Sequence, residues 1–432
     1  MSSNSVELQS NPTTYRWKIC ALLFCSVVIH YIDRQALSHA VVDPVFLKDT
    51  GLMGIDGKLN KELYGYLDAS FKIAFMIGFL LMGNMLDRIG SRKGFSLAIV
   101  TWSFGGIGQA LVSSVTGLGI TRFFLGIGEA GNFPASIKTV AEWFPRKERS
   151  LATGIFNTGS NVGIIAAPFF MSFFMLYFSW RVAFIVSGLL GLVWVIFWLR
   201  MYATPQTHPK VNAAELELIE SDAEINSSKT PWIKLFPMRQ TWCFAIGKLL
   251  TDPAWFLYLI WLPTFFKEEH GIDLKSMVLP MIIIYSISAV GSIAGGWLSS
   301  NFIKIGWSVN KARKTTFFVF ALCAVPAYYA YTTSNIWIAV PIIGLATAAH
   351  AGFSANLFTL VSDTFPKQAI ASVVGIGGAI GSIGGVIMSA LSGIVYQKFG
   401  PAPLFIYGAV AYLLALLLMH LINPKLSPAV VA

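Results

Sequence analysis

The stretch ICALLFCSVVIHYIDRQALSHAVV, Ile19 to Val42, decides what kind of protein this is. A run this long and this apolar can cross a hydrocarbon layer of about 30 Å as a helix. Asp33 and Arg34 nevertheless sit inside it. On insertion scales each such charge costs roughly 2.5–3.5 kcal/mol at a helix centre, so ionisable groups kept there point to handling of an ion or a charged solute.

Apolar runs of similar length recur through all 432 residues, which are 55% hydrophobic and 12% charged, against about 25% charged in a soluble domain. The pattern predicts an all-α polytopic membrane protein with twelve transmembrane helices, near 17–41, 63–86, 94–114, 117–142, 150–178, 181–202, 241–266, 277–302, 314–332, 336–362, 370–396 and 402–422. The short alternating segments of a membrane β-barrel are missing. The first run is long and holds charges, so it reads as a retained span rather than a cleaved leader. Residues 203–240 differ in kind, with Glu215, Glu217, Glu220, Asp222 and Glu224 set between Pro205, Pro209 and Pro231. They predict a solvated linker carrying a short amphipathic helix, between an N-terminal six-helix bundle (1–202) and a C-terminal one (241–432).

The formal charge of +10 is not gathered into one arm or face, which argues against a nucleic-acid partner. With both termini on one side, that side's loops hold Arg88, Arg92, Lys93, Arg146, Lys147, Arg149, Lys210, Lys229, Lys234, Arg239 and several more basic residues. The opposite loops hold Lys48, Lys58, Lys61, Arg181, Lys267, Lys275 and Lys398. The positive-inside rule then places the termini and the linker in the cytoplasm of a multi-pass cell (inner) membrane protein. Cys20, Cys25, Cys243 and Cys323 lie in apolar segments without CxxC spacing, so neither a disulfide framework nor a metal site is expected.

The halves repeat. Glu142-Trp143-Phe144-Pro145-Arg146 matches Asp363-Thr364-Phe365-Pro366-Lys367 at an offset of 221 residues, and Gly154-Ile155 falls on Gly375-Ile376 in the same register. Two pseudo-symmetric six-helix bundles with one substrate path at their interface is the architecture such symmetry implies.

Several intramembrane groups are candidates for the work. Arg34 presents a permanently charged planar fork suited to a carboxylate. Arg122 and Glu129 are seven residues apart on one face of span four, which suggests an ion pair that opens when Glu129 is protonated. Lys72, with Phe75 near it in span two, offers a second cation and a ring. Asn157, Ser160 and Asn161 share one face of span five, and Asn356 lies in span ten beside Ser354 and His350; amides suit a polyhydroxylated solute. Lys138 and Lys248, nearer span ends, read as snorkelling side chains. The run Gly375 to Gly385 lies within an apolar helix, so it reads as close helix packing rather than a dinucleotide loop. No Walker loop, HExxH, GxSxG or Cys/His cluster occurs, and no cofactor is expected.

After span two comes Gly83-Asn84-Met85-Leu86-Asp87-Arg88-Ile89-Gly90-Ser91-Arg92-Lys93. Gly83 permits close helix approach, Gly90 a tight turn, and Asp87 can pair with a basic group or a helix N-terminus across the cytoplasmic face. This loop resembles the G-x3-D-R-x-G-R-[KR] signature of the major facilitator superfamily, where it latches the cytoplasmic side closed in the outward-facing state. Gly83, Asp87, Arg88, Gly90 and Arg92 are the gate residues that the resemblance implies. The second-half counterpart, Gly295-Gly296-Trp297-Leu298-Ser299-Ser300, lacks the acid, while Arg313 and Lys314 keep the basic end. Tyr31 to Ser38 and Gly126 to Ala135 resemble signatures of the anion:cation symporter branch. Within it, Phe71-Lys72-Ile73-Ala74, Glu129 to Pro145, Gly154-Ile155-Phe156-Asn157, Gly159 to Gly163 and Gly306 to Asn310 look most like bacterial hexuronate transporters. The resemblance implies substrate binding at Arg34 and proton coupling at Asp33 and Glu129.

The expected function is proton-coupled import of a sugar-acid monoanion such as galacturonate or glucuronate by alternating access, in a monomer, with sodium as the other candidate ion. An importer of aldonates, aldarates or aromatic acids is the near alternative. A membrane sensor would need a signalling domain for which 203–240 has no room, and an embedded enzyme a nucleophile–base pair that is not apparent.

Overall fold

The computed structural model describes residues 11–222, 231–272 and 276–429. Its helices are α1 (Tyr15–Ala40), α2 (Pro44–Thr50), α3 (Lys61–Ile89), α4 (Ser91–Leu111), α5 (Val115–Glu129), α6 (Asn132–Trp143), α7 (Arg146–Tyr177) and α8 (Trp180–Met201) in the first half. The linker carries α9 (Ala213–Ile219). The second half contains α10 (Arg239–His270), α11 (Val278–Lys304), α12 (Val309–Ala324), α13 (Ala327–Thr332), α14 (Ile336–Thr364), α15 (Ile370–Phe399) and α16 (Ala402–Ile422). Among the described residues, ten spans are long and apolar enough to cross a membrane, α12 and α13 counting as one. The broken pair α5/α6 and helix α10 complete twelve, and these two spans carry the intramembrane charges Arg122, Glu129, Lys248 and Asp252. The protein is an all-helical, multi-pass membrane protein.

Two boundaries differ from the sequence expectation for a local reason. Span four is interrupted at Ala130-Gly131, because Pro134 has no N–H for the Ala130 carbonyl and its ring crowds that turn. Span nine breaks the same way before Ala327, at Pro326. Pro168 and Pro341 do lie inside continuous helices, so proline alone does not end a span here.

The halves meet along α3/α15 and α7/α11. A Cβ on Gly83 would lie 2.5 Å from the Ala371 carbonyl oxygen, and one on Gly296 would collide with the Ser150 carbonyl. Ala371 and Ser150 are themselves 221 residues apart, so the two contacts are copies of each other. Close packing of bare backbone is what glycine permits there.

The hydrogen bonds crossing this seam concentrate toward the ends of the helices that face the linker. Ser372 N and Ala371 N donate to Asp87 at 2.7 and 3.3 Å, Leu151 N donates to Ser300 Oγ at 3.2 Å, and Arg149 Nη1 donates to the Ser362 carbonyl at 2.6 Å. Further in, Asn157 Nδ2 donates to Ser292 Oγ (3.1 Å) and Thr158 Oγ1 to the Ala289 carbonyl (3.3 Å). Helix α15 shows the gradient directly, being buried throughout 370–379 and mostly exposed from 386 onward. The molecule is therefore closed on its linker face.

The linker is bound to the first half. Glu215, fully buried, accepts from Tyr15 N, Arg16 N and Arg16 Nη1 at 3.0–3.1 Å, and Asp222 accepts from Arg146 N. Two linker carboxylates thus satisfy donors at the starts of α1 and α7 that no helix can satisfy itself.

Candidate functional site

A cavity of about 870 Å³, including its solvent-connected mouth, lies between the halves above the seam. From the first half it is lined by Tyr31 and Arg34 of α1, Phe75 and Phe79 of α3, Phe133 of α6, and Asn157, Ser160 and Asn161 of α7. From the second half it is lined by Lys248, Asp252, Trp255 and Phe256 of α10, and by His350, Ser354 and Phe358 of α14. A charged and amide-bearing wall within an aromatic frame suits a small polar anion.

Arg34 is the fixed cation of the first wall. Its Nε donates to Glu129 Oε2 at 3.0 Å, and its guanidinium carbon lies 4.3 Å from the Phe75 ring centre, with Phe71 and Tyr31 at 5.4 and 5.3 Å. Rings on several sides hold the fork in place and shield its field. His30, one turn earlier on α1, contacts the same Glu129 oxygen at 3.1 Å and Arg34 Nη2 at 3.1 Å. Glu129 and His30 are completely buried, whereas the Arg34 side chain keeps 20% of its surface toward the cavity. Glu129 Oε1 and His30 Nδ1 have no hydrogen-bond partner among the described residues.

The structure brings Arg34, Phe75, Asn157 and Asn161 together on the cavity wall and sets other expected residues apart. Arg122 does not pair with Glu129. Seven helical residues separate their backbones by about 10 Å, while α1 delivers Arg34 directly to the carboxylate. Arg122 instead lies 4.5 Å over the Phe71 ring, with Nε and Nη1 unpartnered. Asp33 precedes Arg34 and is turned from it by about 100° around the helix, so it points away from the cavity, toward Trp102 and Ser187, without a well-aligned hydrogen bond among the described residues. Lys72 bonds Asp68 one turn back at 2.7 Å and is not among the lining residues. Asn356 is consumed below the cavity: its amide donates to the Gly295 and Gly352 carbonyls, both at 2.9 Å, and its oxygen accepts from Ser150 Oγ at 3.0 Å. The close approach of α11 and α14 at Gly295 and Gly352 puts it there.

The gate loop is assembled at the linker face. Asp87 bonds Lys138 at 2.7 Å while accepting from the first amides of α15 in the other half. Lys138 is thus a paired group rather than a snorkelling one. Gly90 adopts φ +83°, which a side chain would strain. Arg88 donates to Asn84 and Arg92 to the Leu199 carbonyl, so these two brace the first half rather than cross the seam. In the second half Arg313 is buried against Asp363 at 2.8 Å and donates to Ser299 Oγ. Ser300 occupies the place of Asp87, since its hydroxyl receives Leu151 N just as Asp87 receives Ser372 N, and Leu151 and Ser372 are one repeat apart. The second half thus has a matching cross-seam bond, with a hydroxyl in place of a carboxylate.

The family model of the Major Facilitator Superfamily matches residues 23–388 and 305–431. The chain belongs to this superfamily. Among curated relatives, this superfamily member is 28% identical over 410 residues to the hexuronate transporter of Escherichia coli (strain K12), covering 94% of this chain and 93% of that one. It is 30% identical over 294 residues to the galacturonate transporter of Dickeya chrysanthemi, covering 67% and 83%. It is 29% identical over 437 residues to the probable galactarate/D-glucarate transporter of Bacillus subtilis (strain 168), covering 96% and 94%. Its fold is similar to that of the proton:xylose symporter XylE, with TM-score 0.73, 16% identity and coverage of 97% and 98%. The fucose:proton symporter FucP of E. coli gives TM-score 0.71, 14% identity and coverage of 94% and 99%.

Three site residues of this transporter escaped sequence reading. His30 is a buried ring whose only sequence signal is its place one turn before Arg34. Lys248 and Asp252, read as peripheral or unassigned, bond each other at 2.7 Å on the cavity wall. Their i, i+4 spacing in an apolar span was the available sign.

Proposed function

We propose that this transporter imports a sugar-acid monoanion, a hexuronate such as galacturonate or glucuronate, coupled to proton entry by alternating access. The observation that carries the reading is the Arg34 guanidinium on the cavity wall, held by Glu129 and flanked by the Asn157, Ser160 and Asn161 face. The relatives' names point the same way.

With Glu129 ionised, Arg34 is satisfied and an incoming carboxylate must compete for it. A proton on Glu129 removes that competitor and leaves a cation against an aromatic wall. An uncompensated charge in such surroundings costs several kcal/mol, so the protonated carrier favours an anion at Arg34 and the empty deprotonated carrier does not. Hydroxyls along the sugar then meet the α7 amides. Asp33, unpaired behind α1, is a second carboxylate on the same helix, and Arg122 lends positive potential near Glu129.

The closed linker face, together with the excess of basic loop residues on that side, supports a cytoplasmic gate and an outward-facing state. Each half moves as a body against the other, and a single copy of the chain holds a complete path. Importers of aldarates or aldonates share the scaffold, and the similarity to the B. subtilis protein favours an aldarate as the second reading.

Counterflow and uptake of labelled galacturonate in proteoliposomes, across pH and with or without sodium, test the proposal. Arg34→Ala is expected to abolish binding, and Glu129→Gln to keep exchange while losing accumulation. Proton-driven accumulation by Glu129→Gln at the normal level, or a requirement for sodium instead of a proton gradient, would overturn it.

A further inference from the structure

The two walls of the cavity carry matching devices. On the first, Arg34 is held by Glu129. On the second, Lys248 Nζ bonds Asp252 Oδ1 at 2.7 Å, with the two side chains 9% and 16% exposed toward the cavity. Lys248 also lies 4.5 Å over the Phe358 ring, and Phe358 stacks on Phe133 of the opposite half at 5.1 Å. The second pair is therefore in the same chamber as the first. Tyr31, beside Arg34, falls within electrostatic reach of Arg34, Glu129 and Asp252 alike.

Bare glycines of α15 make room for the second pair. A Cβ on Gly381 of α15 would lie 2.5 Å from Asp252 Oδ2, so the bare glycine makes room for that oxygen. Pro253 removes a backbone donor from the Leu249 carbonyl, and Gly384 packs against that carbonyl. Among the described residues, the phenols of Tyr407 and Tyr412 of α16 and Tyr31 of α1 fall within electrostatic reach of Asp252, and His350 of α14 lines the same cavity, stacked on Trp255 and in contact with the Tyr412 hydroxyl at 3.0 Å. The permanent cation nearest to Asp252 is Lys248.

Bioenergetics asks for such a pair. A monoanion entering with one proton moves no net charge, so an inside-negative potential does nothing for accumulation. A second proton adds about 2.3 kcal/mol per 100 mV. Asp33 faces away from the cavity, whereas Asp252 lies in it.

We propose that Lys248 and Asp252 form a second exchangeable ion pair of the transport cycle: an oxygen of the bound sugar acid takes the place of Asp252 at Lys248 Nζ while Asp252 accepts a proton from the outside solution, relayed by cavity water. The substrate then bridges the halves, its carboxylate at Arg34 and its far end at Lys248, and each half contributes one proton. This rests on the sugar-acid reading of the same cavity.

The test is the proton-to-substrate ratio in proteoliposomes, from labelled galacturonate and a trapped pH dye, with counterflow measured in parallel. The wild type is expected at about two protons and Asp252→Asn at about one, a twofold fall in a ratio taken per substrate and so independent of the rate that remains. An unchanged ratio in an Asp252→Asn variant that still exchanges overturns the proposal. Should Asp252→Asn be inert, the neutral pair Lys248→Gln/Asp252→Asn is expected to regain counterflow at about one proton. An inert double variant makes the pair a structural brace and also overturns it. Failure of the wild type to exchange galacturonate, glucuronate or galactonate sinks the underlying reading, an outcome separate from any behaviour of the variants.

Discussion

Removing the Asp87 carboxylate separates what the latch does for folding from what it does for the transport cycle. Asp87 makes three bonds, but only those to Ser372 N (2.7 Å) and Ala371 N (3.3 Å) cross between the halves. The bond to Lys138 joins α3 to α6 within one half and persists whichever face is open. Hydrogen bonds to a charged group contribute about 1.5–3 kcal/mol each. One of the two is long and weak, so the cross-seam term is about 2–3 kcal/mol, the helix N-terminus included. Asp87→Ala should then shift the ratio of linker-open to linker-closed molecules by about 30- to 150-fold, at 1.4 kcal/mol per decade. Spin labels at Arg88 and Gln368, both exposed and on opposite sides of the latch, would read this as growth of a longer distance in pulsed dipolar spectra. The four native cysteines would first be replaced. Asp87→Asn keeps a neutral acceptor and should move the ratio by roughly half as much on a logarithmic scale. A distance distribution unchanged in Asp87→Ala would refute the assignment of this carboxylate as the seam's main polar tie.

Ser300→Ala, measured with the same label pair, should shift the population by only about fivefold, because a neutral hydrogen bond contributes about 1 kcal/mol. Asn356→Ala should leave the affinity for sugar acid within about twofold while lowering thermal stability by roughly 1–3 kcal/mol, as buried partners at Gly295, Gly352 and Ser150 lose their bonds; a binding titration and a melting curve separate the two effects. Lys72→Gln should change the KM for uptake by less than about twofold, since its ammonium is engaged by half-exposed Asp68 and such pairs contribute little. A tenfold rise in KM would return Lys72 to the binding site.

The fold was legible because membrane spans announce themselves by length and apolarity. The loop that carries Asp87 stood out by its resemblance to the superfamily signature, and the cross-seam bonds of Asp87 fall where that resemblance points. What stayed hidden was azimuth. Sequence spacing places Arg122 and Glu129 on one face of span four, but only the side chains that α1 sends to Glu129 show that Arg34 arrives first. Asn356 and Asn157 look equivalent as intramembrane amides, yet glycines at 295 and 352 draw one into a helix crossing while the other faces the cavity. His30 had no signature of its own, because its role exists only through a carboxylate contributed by a helix 99 residues away.

The carboxylates of Glu215 and Asp222 have a consequence for dividing the chain. They hold the first amides of α1 and α7, so α1 and α7 depend on residues that follow α8 in sequence. A fragment ending at residue 202 would carry two frayed helix starts, whereas one ending just after Asp222 would keep both intact. For fragment complementation or insertion of a reporter, the natural break therefore lies beyond Asp222 and not at the end of the sixth span.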